Sequence, residues 1–403
     1  MSRGVAIVGI GQTGFRARWD ELTYPELAQQ AAMRALKDAA MTPDDIDAIV
    51  FSMAPTQFMG VSDCEKWAVD YVWARNKPFM RVHTGGATGG SAFHAAWAHV
   101  ASGQYRRVLV VGADRLTETP DAQFILNLIW DSFYEQDFAL NTVTMTALST
   151  QRYMARYGAT EEQYARVVVR ARRNAMNNPN AHLKGHITVD DVMRSRRVSW
   201  PYKLFDICPR SAGAAALVVA DEDSARQICS RPAFVTGIGA ISNTVFQGDR
   251  AVPSSDAEFA DHAELAIAAR ECYQQAGITR PAVEIQVAEL YDPFSSFQFP
   301  HLESLGFCAR GTAARLSDEG AFDMNALVSV GPSGGTLCTN PIGVTGLVRV
   351  ADAALQVMGR AGAMQVRGVR NALATAAGGS AQFHTCTLLS DEPRGQPNRG
   401  ANP

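Results

Sequence analysis

The strongest chemical signal in the chain is the stretch FMRVHTGGATGGSAFHAAWAHVASG, residues 79–103. An apolar run, Phe79 to Val82, meets a glycine-dense turn, Thr84-Gly85-Gly86-Ala87-Thr88-Gly89-Gly90. A run of small and apolar residues from Ser91 follows and reads as a buried helix. Strand, tight turn and helix in that order aim backbone N–H groups at an anion or an oxyanion. The residue at the tip of such a turn is often a nucleophile. Here the tip is glycine, and no cysteine lies between Cys64 and Cys208. The turn therefore reads in two ways. It is an oxyanion site without its nucleophile, or a turn whose glycines serve close packing.

Three later stretches offer partners. They are Glu289-Leu290-Tyr291-Asp292-Pro293-Phe294, Cys338-Thr339-Asn340-Pro341-Ile342-Gly343, and Gly378-Gly379. A fourth candidate, Gly9-Ile10-Gly11-Gln12-Thr13-Gly14, has the spacing of a dinucleotide fingerprint. That fingerprint requires a helix opening on its last glycine and an acid closing the next strand. Phe15 to Asp20 intervene before the expected helix, and the next strand ends Ser-Met-Ala, so nucleotide binding is not expected.

The elements that hold these stretches repeat. Val5–Ile10 is an all-apolar run, as for a strand covered on both faces. A helix over Tyr24–Ala40, a strand over Ile46–Met53, the glycine turn and a strand over Arg107–Gly112 follow. Residues 117–141 read as an irregular excursion rich in aromatics and acids. Helices are expected over Thr142–Tyr157 and Thr160–Asn177, the second with a Thr160-x-x-Gln163 capping pattern. Asn178–Trp200 reads as a polar, basic loop over a site, and Ala214–Ala220 as a buried strand. Ala233–Ile241 then echoes the first strand, Asp256–Ala276 the first helix, and Ile285–Leu290 the second strand. Leu327–Val330 with Gly331-Pro332-Ser333-Gly334-Gly335 echoes the pivotal turn, and a helix over Ala351–Gly359 follows. Two similar halves, residues 1–228 with an excursion over 115–205 and residues 229–403, imply a five-layer α/β/α/β/α body. Sites in such a body collect where strand ends of both halves meet.

Composition narrows the function class. Among 403 residues, 47% are hydrophobic and 19% charged, as in a well-buried enzyme. Lys+Arg of 37 against Asp+Glu of 40, without a basic run, leaves no nucleic-acid footprint. No apolar run is long enough to span a bilayer. Met1-Ser2-Arg3 leads straight into a strand, so no export signal is expected. Seven scattered cysteines without a C-x-x-C pair suggest reduced thiols in a cytoplasm and no metal centre.

The order of these motifs resembles the thiolase superfamily, most closely the sterol-carrier or lipid-transfer-protein type, over essentially the whole chain. Val5-Ala6-Ile7-Val8-Gly9, Gln151-Arg152-Tyr153-Met154, Asn178-Pro179-Asn180-Ala181, Cys208-Pro209 before Gly213-Ala214-Ala215-Ala216, and Leu305-Gly306-Phe307-Cys308 carry the likeness. The resemblance implies the thiolase fold. It also implies departures at each catalytic position. Gly86 stands where the family acylates a cysteine, and Tyr291-Asp292-Pro293-Phe294 replaces His-Asp-x-Phe. Thr339-Asn340-Pro341 replaces Gly-His-Pro, Ser211-Ala212-Gly213 replaces Ser-Asp-Gly, and Thr375-Ala376-Ala377 precedes Gly378 without the additional cysteine. Without thiolate and histidine, covalent acyl transfer is lost. The glycine framework still suits a thioester enolate.

Within that superfamily the pattern is similar to the steroid side-chain retro-aldolases, which lack the cysteine, use tyrosine and work with a small OB-fold partner of the DUF35 type. The resemblance implies a carbon–carbon lyase acting on a 3-hydroxyacyl-CoA, with coenzyme A part of the substrate and no bound cofactor. Tyr291 is then the base on the β-hydroxyl, Asp292 orients or tunes it while facing away from the phenol, and Asn340 contacts substrate. Gly86, Gly378, Gly379 and Ser333 bind the thioester and CoA portion. The second tyrosine of that subfamily, expected near Asn340, is missing. Rival readings are an acyltransferase using Cys338 and a non-catalytic acyl-CoA scaffold. Cys338 also reads as a small packing residue, His83 as a base or a core histidine, and Tyr291 as a buried structural tyrosine. A homodimer paired through Phe79–Val82 is expected.

Overall fold

The computed structural model describes residues 3–138, 140–246, 249–250 and 259–393. Met1 and Ser2, the first three residues of the expected Asp256–Ala276 helix and the C-terminal end of the second half lie outside the described residues.

Among the described residues twelve strands form. They are β1 (Val5–Gln12), β2 (Ala48–Ser52), β3 (Phe79–Val82), β4 (Arg107–Arg115), β5 (Arg197–Ser199), β6 (Tyr202–Lys203), β7 (Ala212–Asp221), β8 (Ala233–Ser242), β9 (Val287–Glu289), β10 (Ser329–Val330), β11 (Asn371–Gly378) and β12 (Phe383–Ser390). All but the small β5–β6 pair join one ten-stranded mixed sheet, in the order β10-β9-β11-β12-β8-β1-β7-β4-β2-β3. Read outward from the middle, each half runs first strand, last, fourth, second, third. The internal repeat is thus present in the topology and not only in the sequence. The halves join through β1 and β8, where Ala6 faces Phe234 and Ile7 faces Ala233. Each half's short third strand lies at a free edge: β3 on one side, β10 on the other.

The central strands β1 and β7 are buried along their whole length, which is why they read as unbroken apolar runs. Outer helix Tyr24–Asp38 covers one face of the first half, burying Leu27, Ala31 and Leu36. Ala263–Ala276 covers the corresponding face of the second half, burying Leu265, Ala268 and Cys272. Between the halves lie Thr88–Ala101 and Ile342–Val357, whose Phe93, Ala96, Leu347 and Val350 pack with strand residues of both halves. The layers therefore run helix, sheet, helix, sheet, helix. The two central helices cross at glycines: a Cβ on Gly89 would strike the Gly346–Leu347 backbone.

Several local expectations shift. The pivotal helix begins at Thr88 rather than Ser91, because the Thr88 hydroxyl closes the turn. It accepts from Thr84 N–H at 2.9 Å and donates to the Gly85 carbonyl at 2.6 Å. The helix expected over Ala351–Gly359 runs Ile342–Val357, so it starts beside the Asn340 segment. The excursion holds a helix, Ala122–Asn127, capped by the Asp121 carboxylate. The basic loop holds Val189–Arg194 and β5. Thr160 caps Glu161–Ala175 as its motif implied. No helix among the described residues is long and apolar enough to cross a membrane.

Candidate active site

The strand ends of the two halves open onto a cavity of roughly 500 Å³. Its floor is polar backbone and a few side chains: Gly85, Gly86, Tyr291, Asn340, Gly378 and Gly379. Its walls are apolar and come from the excursion (Ile125, Leu126, Ile129), from helix Thr142–Tyr157 (Val143, Met145) and from Phe294 and Phe297. Arg196 and Arg210 line it as cations. A polar hollow around Arg3, Arg106 and Asp221 lies elsewhere on the surface. Arg3 and Arg106 there both pair with Asp221, Arg106 Nε at 3.0 Å.

Gly86 and Tyr291 form one steric unit. Tyr291 follows β9 by two residues, and its N–H donates to Thr375 Oγ1 at 2.9 Å. Its ring packs on Ala87, Ala376, Ala377 and Phe383. The hydroxyl then lies directly over the glycine turn. A Cβ on Gly86 would overlap both the Tyr291 hydroxyl and the Ala377 carbonyl oxygen. The phenol oxygen occupies the volume that a side chain at the turn's tip would need, so the glycine of the first half and the tyrosine of the second depend on each other. Burial, with Cys208 and Asp114 adding to it, pushes the phenol well above its ordinary pKa. That burial favours the neutral phenol over the phenolate.

The two glycine turns touch: a Cβ on Gly85 would come within 2.9 Å of the Gly379 nitrogen. Gly378 ends β11, Gly379 opens the β11–β12 turn, and both line the cavity with Gly86. Among the described residues neither the Gly86 nor the Gly379 N–H has a hydrogen-bond partner. Two unpaired donors on glycines that line a largely apolar cavity are what a developing oxyanion requires.

Asn340 lines the same floor and is held firmly. Its Nδ2 donates to Cys208 Sγ at 3.0 Å, its Oδ1 accepts from Thr345 Oγ1 at 2.7 Å, and its backbone N–H donates to Ser211 Oγ at 3.0 Å. The second N–H of the amide is left for a ligand. Cys208 lines the cavity too, with its thiol pushed up to about 12 by burial. The Cys208-Pro209 pair ahead of β7 was its only sequence signal.

Other candidates fall away from the cavity. Asp292 turns from the phenol, as expected, but neither touches nor orients it. Its carboxylate accepts from Gln298 Nε2 at 2.9 Å and is pushed up to about 6 by burial. Strand-like alternation sends neighbouring side chains to opposite faces. Ser333 is not a cavity residue either. Its N–H and hydroxyl both donate to Glu289, at 3.1 and 2.7 Å, and its oxygen accepts from Arg349 Nη1 at 2.9 Å. That serine belongs to a closed cluster of Glu289, Arg349 and Asp352, all buried. Cys338 is fully buried against Ala175 and Ala181, outside the cavity, with its thiol pushed up to about 12 by burial. This removes it as a displaced nucleophile. His83 is neither core nor cavity residue, but exposed beyond the end of β3. Sequence reading missed His262, which lines the cavity wall. No group of three His, Cys, Asp or Glu residues among those described could hold a metal ion.

Comparison with known proteins fits this architecture. The profile "Thiolase, N-terminal domain" matches residues 5–195, and "Thiolase C-terminal domain-like" matches residues 249–391. The chain is 31% identical to an acetyl-CoA acetyltransferase of Methanothermobacter thermautotrophicus, covering 94% of this chain and 97% of that protein. It is also 31% identical to a steroid side-chain-cleaving aldolase of Thermomonospora curvata, over 93% of this chain and 95% of that one. A solved structure titled Ltp2-ChsH2(DUF35) aldolase superposes with a TM-score of 0.80 at 29% identity, covering 96% of this chain and 97% of that chain.

Proposed function

This chain belongs to the thiolase family, and from that premise we propose that it is a retro-aldol lyase, cleaving a 3-hydroxyacyl-CoA with a bulky β-substituent to a carbonyl compound and a shorter acyl-CoA. The observation that carries this reading is the Tyr291 hydroxyl standing over Gly86. The turn has no thiol and no room for one, so an acyl-enzyme is excluded there, while the unpaired Gly86 and Gly379 N–H groups remain for a thioester oxygen.

A neutral phenol suits this reaction in one concerted exchange. Tyr291 takes the β-hydroxyl proton while giving its own to the carbon released as the enolate. The Cα–Cβ bond breaks, the β-carbon becomes a carbonyl, and no charge rests on a phenolate that burial disfavours. The two glycine N–H groups carry the charge that develops on the thioester oxygen, and Asn340 offers its free N–H to the substrate. Arg196 and Arg210 suit the phosphates of coenzyme A. The similarity to lyases of this kind, one solved with a DUF35 protein, supports a DUF35-type partner. So do exposed Phe133, Tyr134 and Phe138 on the excursion that walls the cavity. A homodimer through the free edge of β3 completes the assembly.

The test is release of a short acyl-CoA from such a substrate, with a DUF35-type partner present. Tyr291→Phe keeps the ring and lowers turnover by about 10²–10⁴, the range for a lost proton-transfer group. Undiminished cleavage by that variant refutes the assignment. The likeness to an acetyltransferase supports a second reading, acyl transfer, which predicts a stable acyl adduct by intact mass after incubation with acyl-CoA.

A further inference from the structure

The cavity contains a histidine that the proposed cleavage does not use. His262 follows the short turn Phe259–Asp261 and precedes helix Ala263–Ala276, in a left-handed backbone conformation with φ 48°. Such a conformation costs a non-glycine residue free energy and persists where surroundings enforce it. The enforcement here is visible. The ring is 5% exposed, meets Phe297 edge-on at 4.7 Å, and places Nδ1 3.1 Å from His301 Nε2. His301 lies on helix Gln298–Ser304, is 1% exposed, and its Nδ1 has no partner among the described residues.

That orphaned nitrogen sets the proton positions. A buried N–H without an acceptor is rarer and costlier than a bare lone pair. His301 therefore carries its proton on Nε2 and donates it to His262 Nδ1. His262 then carries its own proton on Nε2, for which no described protein atom is a partner, in a ring that lines the cavity. Burial keeps both rings neutral, His262 down to about 4 and His301 well below its ordinary value. The charged or titratable groups acting on His262 are Glu264, His384, Asp261 and Arg250, and their opposing effects do not overcome that burial. The wall here is otherwise aromatic, with Phe259 beside His262 and Phe294 5.6 Å from Phe297. This row of rings leads from the Tyr291–Pro293 segment to His262.

We propose that His262, oriented by His301, is a specificity-determining hydrogen-bond donor that recognises a carbonyl or hydroxyl oxygen on the substrate's bulky acyl substituent. The assignment rests on the acyl-CoA reading above. It does not require that cleavage occurs.

The experiment measures binding of uncleavable CoA thioesters that lack the 3-hydroxyl group, by calorimetry on the full chain. Pairs are compared at two ring sizes: 3-cyclohexylpropanoyl-CoA with its 4-oxo derivative, and the decalinyl counterparts with and without a ring ketone. The parent protein binds the ketone of at least one pair about tenfold more tightly, the scale of one net hydrogen bond, unchanged from pH 6 to 8. His262→Phe keeps the ring contact and brings that ratio to one without weakening the hydrocarbon. Equal affinities within both pairs for the parent protein overturn the proposal, as does a ratio that survives in His262→Phe. Should that variant fail to fold, long-range ¹⁵N–¹H correlation on the parent protein reads the tautomer directly, and a proton on Nδ1 of His262 overturns it. Because these ligands cannot be cleaved, failure of the lyase reading and failure of this one give different results.

Discussion

The two glycine turns occupy corresponding places in the repeat, each after the third strand of its half, yet they end in different surroundings. The first, Thr84 to Gly90, faces an open cavity, with a phenol from the opposite half over its tip. The second, Gly331 to Gly335, is sealed. Asn174 and Asn178 donate to the Gly331 and Ser333 carbonyls, both at 3.0 Å, and a Cβ on Gly334 would strike Ala175. The Ser333 side chain is consumed by Glu289 and Arg349. The same local grammar thus makes one opening and one joint, and the difference is set by what packs against each tip. Unpaired donors beside space define the first. Saturated donors without space define the second.

The largest effect expected from breaking this contrast is at the sealed joint. Arg349→Met leaves the Glu289 and Asp352 carboxylates buried without their cation, and burial already raises both. Loss of one partner from such a cluster costs about 3–5 kcal/mol, read as a fall in the denaturant midpoint. Turnover per folded molecule stays unchanged. Lost turnover with intact stability would show that the joint is part of the site.

A matched pair of glycine substitutions sharpens the comparison. Gly86→Ala and Gly334→Ala each add a methyl where there is no room, costing about 1–3 kcal/mol of stability. Gly334 also has φ +93°, which adds backbone strain for alanine. Only Gly86→Ala displaces the Tyr291 hydroxyl, so only it lowers cleavage well beyond its loss of folded protein. Equal activity losses in the two variants would erase the distinction between the turns.

The smallest effect is confined to a pH window. Asp292 has a folded pKa of about 6, against about 3.9 for a free aspartate. Below pH 4 both states hold the proton and this group's contribution is fully present. Between pH 4 and 6 the unfolded chain releases the proton first, so stability falls as pH rises. Above pH 6 the loss is complete. Asp292→Asn removes that fall, and the variant gains on the parent protein from pH 4 to 6 in urea titrations, with the dependence of turnover on pH unaltered. A shift in the pH profile of cleavage would return Asp292 to the active site.

Much of this architecture was legible in the chain. Val5–Ile10, Arg107–Gly112 and Ala214–Ala220 announced strands covered on both sides, and the observed β1, β4 and β7 contain them. The repeat was visible because each half needs the same apolar runs to bury the same layers. The glycines of both cavity turns could be picked out by residue type and position, and Tyr291 and Asn340 through the thiolase resemblance. Element ends were less legible. Thr88 closes its own turn through the hydroxyl, which starts the helix three residues early.

The direction in which each side chain points was decided only by tertiary structure. Tyr291 and Asp292 are neighbours, and alternation sends them to opposite faces, but no local feature says which face is the cavity. Ser333, Cys338 and Asn340 lie within eight positions of one another, and only Asn340 reaches the floor. The serine is taken by an acid forty-four residues away, and the cysteine by helix Glu161–Ala175 and the segment after it. His262 carried no motif at all, because its role depends on a second histidine and on Phe297 rather than on its own neighbours. Sequence determines periodicity, and so the elements and their layers. A cavity is where packing from separate elements fails to close, and that depends on contacts between residues far apart in the chain.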